Sequence, residues 1–512
     1  MEKYCFQWDR LSGSYDVMSS PYLCGQNKGK MKIAVAKGDG IGPEIMEAVL
    51  HIFDANKVPL TYEVVDMGKW VFDKGFNTGM TPEAKETIER LGVLFKGPME
   101  TPKGKGVKSI NVTARKVWNT YANKRVFQSL HGVDTVFSKA GIPIRITILR
   151  ENIEDTYGGI EHMLTQDVAV SRRMITRPGC MQFLRYGFEM ARSQGARRIT
   201  CAHKANIMKL TDGLFLDCFN ELAKEYPDLK SDDIIVDDLA MKLVTRPNEF
   251  DIICLTNLQG DIMSDLCAGL VGGLGFAPSA NIGEDISIFE AVHGTAPDIA
   301  GKHIANPTSL LLSGLMMLRH LGLWEHAATI ENALLYTLEQ GTHTGDFGDR
   351  NTISLNTNEF AAAIISNFGK LPSQHSIESK PNHPVEVLML KPKENHMLVS
   401  ASRDAEIING ADLFIESQEQ PGIVAEKCQR HPGSTFTVTS ISNRGTQVWP
   451  TGSVFTNCAN VYTARFEKTG GAITVQDVLD LCKRVSADFK VCSYELLNQF
   501  GEVRGYSMAQ GQ

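Results

Sequence analysis

Eleven cysteines are scattered through 512 residues, and no two of them stand in a C-x-x-C pair. That spacing excludes zinc ribbons and dithiol redox motifs and fits reduced, mostly buried thiols of an intracellular chain. No run of 18 or more apolar residues occurs, so no membrane-spanning helix is expected. An excess of positive charge is also missing: 52 Lys and Arg stand against 59 Asp and Glu, a formal net charge of −7. This balance argues against a nucleic-acid binder or a membrane-surface protein, which carry a basic face. A local basic pocket for a small anion stays compatible with it. The first 30 residues lack a secretory apolar stretch and contain Glu2, Asp9 and Asp16, unlike an acid-poor transit peptide. The closing A-Q-G-Q is not a peroxisomal signal. The expected location is intracellular, with cytoplasm and mitochondrial matrix both open.

Apolar residues make up 43% and charged residues 22%, enough to bury a sizeable core, and the length favours two or more domains. The run M-K-I-A-V-A (31–36) has strand length. After G-D-G-I-G-P-E, the residues Ile45, Met46, Val49, Leu50 and Phe53 recur at helical spacing, with Pro43 suited to a first turn. The glycines of that loop, Gly38, Gly40 and Gly42, read G-x-G-x-G and miss the dinucleotide fingerprint G-x-G-x-x-G. A tight turn needing glycine backbone freedom suits them better. Segments 197–204, 233–238 and 250–257 read as buried strands ending in polar residues, separated by helical patterns. Such alternation predicts a mainly parallel sheet covered by helices, with ligands beyond the strands' carboxyl ends, where Lys204, Asp237 and Asn257 fall.

Residues 371–384 are polar with three prolines and read as a linker. Beyond it, strands at 412–417, 435–442, 461–466 and 490–497 and helices at 421–429 and 475–485 follow in the order βαββαβ. That predicts a ferredoxin-like α+β domain.

Three constellations carry chemistry. In 109–125, Ser109, Asn111, Arg115 and Arg125 stand close in sequence, and Arg150 ends a later apolar run. Guanidinium forks match carboxylates and stay charged when desolvated, so these arginines either converge on a polycarboxylate or stand as solvated charges. In N-L-Q-G-D-I-M-S-D-L, Asp261 and Asp265 share one helix face if the segment is helical. With Asp237 they offer an oxygen-only set suited to Mg²⁺ or Mn²⁺; the alternative is a pair of surface acids. Tyr157 and Lys204 are candidates for proton transfer, although a lone tyrosine or lysine is usually structural.

Together, G-D-G-I-G-P-E, L-R-E-N-I-E-D-T-Y-G-G, K-A-N-I-M-K, N-L-Q-G-D-I-M-S-D, G-F-A-P-S-A-N-I-G and H-G-T-A-P-D-I-A-G-K…N-P-T-S resemble the β-decarboxylating dehydrogenases. This family acts on isocitrate, 3-isopropylmalate, homoisocitrate and tartrate. The matches run in family order over roughly 31–368. The tail, with S-I-S-N-R-G-T-Q-V-W-P at 440–450, resembles the C-terminal extension of longer homodimeric isocitrate-type members. The resemblance implies an α/β fold with a large discontinuous domain (31–125 and 272–370) and an inserted small domain at the dimer interface (126–271). Around these lie an N-terminal extension (1–30), a linker (371–384) and a C-terminal domain (385–512).

It also implies roles. Arg115, Arg125 and Arg150 would hold the inner carboxylates of isocitrate, and Ser109 and Asn111 the distal one. An isopropyl group would leave that serine and asparagine unpaired at about 1–3 kcal/mol each, which favours isocitrate over 3-isopropylmalate; homoisocitrate is the nearest alternative. Asp261 and Asp265, with Asp237 of a partner, would bind Mg²⁺ or Mn²⁺. Lys204, also from the partner, would take the hydroxyl proton, and Tyr157 would protonate C3. Sites shared between two chains imply a homodimer; dimer and tetramer both stay open. A non-catalytic regulatory subunit would be expected to have lost these groups, which are all present. The tail is expected to serve packing or dimerisation rather than ligand-dependent regulation.

Cofactor contacts carried over by the resemblance are Thr101, Asn206, Glu290, His293, Gly294, Asp298, Ile299 and Asn306. Family members that use NADP⁺ commonly have lysine and tyrosine where this chain has Asp298 and Ile299. An acid there accepts hydrogen bonds from ribose hydroxyls and repels a 2′-phosphate, so NAD⁺ is the expected cofactor.

Overall fold

The computed structural model describes residues 30–100, 109–348, 351–373, 376–378, 404–453 and 455–508. Residues 1–29 of the expected N-terminal extension, residues 374, 375 and 379–384 of the linker, and Thr101 lie outside the described residues. The apolar run at the start of the core forms the strand Met31–Ala36, and the helix Gly42–Ala55 follows with Pro43 in its first turn. Between them Gly38 and Gly40 take positive φ, 78° and 58°. A Cβ on Gly38 would fall 2.2 Å from the Pro98 carbonyl oxygen, and one on Gly40 would fall 2.1 Å from that of Thr295. The glycines are there because neighbouring backbone leaves no room for side chains.

Two compact units divide the described residues. The first is drawn from Met1–Ile153, Gln182–Ala202 and Leu222–His396, the second from Glu154–Met181, His203–Glu221 and Met397–Gln512.

A ten-stranded sheet organises the first unit. Its strand order is Leu60–Val64, Met31–Ala36, Val93–Lys96, Ser287–Ala291, Pro278–Ile282, Ala122–Gln128, Arg145–Glu151, Ile252–Leu255, Arg198–His203, Lys230–Ile235. The expectation of a mainly parallel sheet needs correction at its centre. Pro278–Ile282 runs antiparallel to both neighbours, and Ala122–Gln128 runs antiparallel to Arg145–Glu151. Met31–Ala36 pairs in parallel with Leu60–Val64 and Val93–Lys96, Val93–Lys96 with Ser287–Ala291, and Ile252–Leu255 with Arg145–Glu151 and Arg198–His203, as helical crossovers require. On one face, helices Gly42–Ala55, Thr308–His320, Trp324–Glu339 and Thr357–Ser366 bury a core that includes Ile33, Val35, Phe53, Phe289, Leu311 and Phe360. On the other, Ile88 and Ala114 of Pro82–Leu91 and Ile110–Val117 pack with Ala34, Leu94 and Ile288. A third core joins Ile146, Ile148 and Ile253 to Leu239, Leu243 and Cys267.

One predicted strand, read as 233–238, begins and ends three residues earlier. Lys230–Ile235 ends before Asp237, which lies in the first turn of the helix Val236–Thr245. Val236 continued the β-branched run in sequence. The acids Asp237 and Asp238 instead favour a helix N-terminus, and Leu239 and Leu243, one helical turn apart, are the buried positions.

In the second unit the βαββαβ order holds. Strands Glu406–Glu416, Phe436–Asn443, Val461–Lys468 and Lys490–Phe500 alternate with helices Pro421–Cys428 and Val475–Val485 as predicted. Two short strands that escaped the sequence reading, Thr446–Trp449 and Val503–Arg504, extend the sheet to six strands, all antiparallel. Leu413, Ile415 and Phe466 pack against Val424, Val478 and Leu481 of the helices. Among the described residues no helix is long and apolar enough to cross a membrane.

Candidate active site

Lys96 ends the strand Val93–Lys96, and Glu290 stands directly opposite it on Ser287–Ala291. Both are almost wholly buried, 1% and 4% exposed. The Lys96 ammonium pairs with Glu290 Oε2 and donates to Asn111 Oδ1 at 2.9 Å. Arg115 Nη2 reaches Glu290 Oε1 at 3.0 Å, and Asn281 Nδ2 donates to that oxygen at 2.7 Å. Burial pushes the Glu290 carboxyl up, but the charges of Lys96 and Arg115 outweigh it and hold the group well below the usual carboxylate range. Lys96 was absent from the sequence-level candidates. Its signal, a lysine closing an apolar strand, becomes informative only with the register known.

The arginines converge. Arg125 is 5% exposed and Arg150 1%, so neither is a solvated charge. Arg125 Nη1 donates to Ser264 Oγ at 2.6 Å and lies 3.7 Å from Asp265, and its Nη2 lies 3.7 Å from Asp261. Arg150 Nε and Nη2 donate to Asn257 Oδ1 at 3.0 and 2.8 Å, and Nη1 pairs with Asp261. Burial, then the neighbouring Arg150 and Arg115, push the Arg125 guanidinium down to about 10. An anionic ligand would relieve that repulsion. Arg115 Nε is buried with no partner among the described residues.

Asp261 and Asp265 share the helix Asn257–Leu270. Burial raises the Asp265 carboxyl, Arg125 opposes this, and Asp261 adds to it. Two partly exposed carboxylates one helical turn apart fit a divalent cation with oxygen ligands. Asp237 is not brought to them: among the described residues no three acidic, histidine or cysteine side chains gather at one point.

A cavity of about 340 Å³ runs from Asn111, Arg115 and Arg125 past Lys96 and Glu290 to His293, Gly294 and Thr295. Ser109 stands at the N-terminus of the helix Ile110–Val117 that carries Asn111 and Arg115. At the other end, His293 Nδ1 meets the Gly294 carbonyl oxygen at 3.0 Å, while Nε2 is buried without a partner among the described residues. Burial lowers the His293 pKa against the opposing Gly294 carbonyl and Asp346. The segment T-H-T-G-D-F-G folds beside it: the Asn306 backbone N–H donates to Asp346 Oδ2 at 2.9 Å. Asp298 is exposed, and Ile299 packs on the large core. The loop that follows them, toward the helix Thr308–His320, is held by buried Glu44, whose Oε2 accepts from the N–H groups of Gly301 and His303 at 3.1 and 3.3 Å.

Tyr157, Lys204 and Asn206 belong to the second unit. Tyr157 lies in the short turn Thr156–Gly158, and Lys204 directly follows the strand Arg198–His203. Asn206 is exposed.

With this geometry in view, comparison with known proteins gives consistent matches. The isocitrate/isopropylmalate dehydrogenase family matches residues 32–364, and the bacterial isocitrate dehydrogenase C-terminal domain matches 406–512. A relative in Thermus thermophilus, "Isocitrate dehydrogenase [NADP]", is 43% identical over 490 residues, covering 94% of this chain and 96% of its own. "Isocitrate dehydrogenase [NAD] catalytic subunit 5, mitochondrial" of Arabidopsis thaliana is 47% identical over 329 residues, 64% of this chain and 86% of its own. A solved crystal structure from Thermus thermophilus superposes with a TM-score of 0.88 at 42% identity, covering 95% of this chain and 97% of that one.

Proposed function

Because the chain belongs to the isocitrate/isopropylmalate dehydrogenase family, we propose that it oxidatively decarboxylates isocitrate to 2-oxoglutarate and CO₂, with NAD⁺ as the oxidant and Mg²⁺ or Mn²⁺ as the metal. The observation that carries the substrate is the polar lining of the cavity around Asn111, Arg115 and Arg125. Lys96 occupies the Asn111 carbonyl, so the amide NH₂ remains as a donor for a distal carboxylate. An isopropyl group in the same place would strand that donor.

In this reading Arg115, Arg125 and Arg150 orient the inner carboxylates, and the rigid partners of Arg125 and Arg150 fix the direction of their forks. Ser109 and Asn111 hold the distal carboxylate. Lys204 removes the proton of the C2 hydroxyl, and Tyr157 delivers a proton to C3 after CO₂ departs. Asp261 and Asp265, with Asp237 from a second copy, would hold the cation, and His293, Gly294, Asp298, Ile299, Asn306 and Glu290 would line the dinucleotide site with Thr101 and Asn206. When bound, the dinucleotide would supply a hydride acceptor for the C2 hydrogen, and the cation would supply Lewis-acid stabilisation of negative charge on oxygen.

The second copy is argued from apolar exposure. Met241 and Val244 on the helix Val236–Thr245, and Leu258 and Ile262 on Asn257–Leu270, all face solvent in the single chain. These helices also carry Asp237, Asp261 and Asp265, so covering the exposed side chains with a second copy brings acids of two chains near one another. The domain division proposed with this function is 31–125 with 272–370, 126–271, and 385–512.

NAD⁺ is preferred on the chemistry of Asp298. A carboxylate about 4 Å from a 2′-phosphate costs about 4 kcal/mol per unit charge at an effective dielectric of about 20. The Thermus relative is named for NADP, and the expectation here departs from it on that residue. Steady-state kinetics of the purified full chain with isocitrate and Mg²⁺ or Mn²⁺ test both parts. The expected result is a kcat/KM for NAD⁺ at least about tenfold above that for NADP⁺. A preference for NADP⁺ overturns the cofactor assignment alone. Turnover of homoisocitrate or 3-isopropylmalate in place of isocitrate overturns the substrate.

A further inference from the structure

Two wholly buried carboxylates in the second unit, Asp155 and Asp212, converge on one guanidinium. Arg173 Nε donates to Asp155 Oδ1 at 2.5 Å, and its Nη1 pairs with Asp212 and donates to Thr211 Oγ1 at 2.9 Å. Each carboxylate also grips backbone next to a residue assigned to proton transfer. Asp155 Oδ1 accepts the N–H of Thr156 at 2.8 Å, one residue before Tyr157. Asp212 Oδ2 accepts the N–H of Lys204 itself at 2.6 Å. Asp155 sits at φ 67°, a conformation a non-glycine residue holds only when its surroundings impose it. Its N–H bond to the Met174 carbonyl, 2.9 Å, ties it in an isolated antiparallel bridge to the residue that follows Arg173.

From this arrangement we infer that Arg173 is a positioning residue: through Asp155 and Asp212 it locks Tyr157 and Lys204 into one fixed mutual arrangement. The inference rests on the proton-transfer reading of those two residues. If the active sites are shared between two chains, Tyr157 serves the site of its own chain and Lys204 that of the partner. Arg173 then ties the acid of one site to the base of the other, and its loss weakens both. A purely architectural ion pair would instead lower stability and leave the chemistry of the folded fraction unchanged.

The test uses full-length Arg173→Lys, which keeps the charge but loses the fork, and Asp212→Asn, which keeps the shape but loses a charge. Tyr157→Phe and Lys204→Met are run beside them. Arg173→Lys is expected to lower kcat about tenfold or more with both KM values within about threefold of wild type. Added to Lys204→Met, it should slow that variant by less than it slows the wild type, because the part of its effect that acts through Lys204 is already lost. If Tyr157→Phe and Lys204→Met keep near-normal turnover, the proton-transfer reading fails, whatever Arg173 does. If those two fall while folded Arg173→Lys and Asp212→Asn keep wild-type kcat, the inference about Arg173 is wrong. Should Arg173→Lys not fold, the kcat of Asp212→Asn decides between the same two outcomes.

Discussion

Glu290 is a carboxylate with almost no water around it, and its charge survives because Lys96 and Arg115 flank it. Its folded pKa lies below the ordinary value of 4.5. A depressed acid contributes stability that is present above its unfolded value and lost as pH falls toward the folded one. Glu290→Gln should therefore destabilise the protein by about 3–5 kcal/mol at pH 7, since Lys96 is left as a buried charge without its counter-ion. The gap to wild type should narrow as pH drops below about 4. Urea midpoints at neutral and acid pH measure it, and a gap independent of pH would contradict the pairing. At the cofactor end, Asp298→Lys with Ile299→Tyr should raise kcat/KM for NADP⁺ relative to NAD⁺ by about tenfold or more, read from the ratio of the two. An unchanged ratio removes Asp298 from cofactor choice. Asp298 stood out in the sequence because one acid in a proline-bounded loop is conspicuous. Lys96 did not, because V-L-F-K reads as any buried strand until its parallel partner and register are known.

The helix Asn257–Leu270 reaches Arg150 through a gap the size of one missing carbon. A Cβ on Gly260 would lie 2.7 Å from both Cβ and Cγ of Arg150. Gly260→Ala should push that arginine off its Asn257 and Asp261 partners. The isocitrate KM is expected to rise about tenfold or more, with stability lowered by about 1–3 kcal/mol from overpacking. Titrating isocitrate against the variant checks this, and an unchanged KM would show that the helix shifts without disturbing the clamp. Other elements were plain from pattern alone. Val475–Val485 buries Val478, Leu481 and Val485 at helical spacing after Thr474, which caps it. Asp237 was misplaced because Val236 prolonged an apolar run that the fold ends one residue earlier. The antiparallel centre of the ten-stranded sheet was also out of reach, since strand direction is set by connections that local periodicity does not encode.

Across the whole molecule, the exposed apolar side chains of the two acid-bearing helices set the expected assembly. Met241→Glu with Ile262→Glu should turn dimers into monomers and lower kcat by about a hundredfold or more, with the secondary structure retained. Light scattering and activity on the same sample read both quantities, and an active monomer would refute the shared site. The residues that form the cavity come from distant parts of one chain: Arg115 and Glu290 are 175 positions apart and meet at 3.0 Å. During synthesis the lysine and arginine of the first third of the chain emerge long before their counter-ion. Until the strand bearing Glu290 inserts beside Val93–Lys96, Lys96 has no carboxylate to meet and favours staying hydrated over entering the sheet. The sheet's central strands should therefore close late, after loop closure over a long separation, and this order makes the cavity one of the last features to form. Nascent chains that stop short of Ala291 would expose the apolar edge of Val93–Lys96, and cellular chaperones would be the first partners they meet.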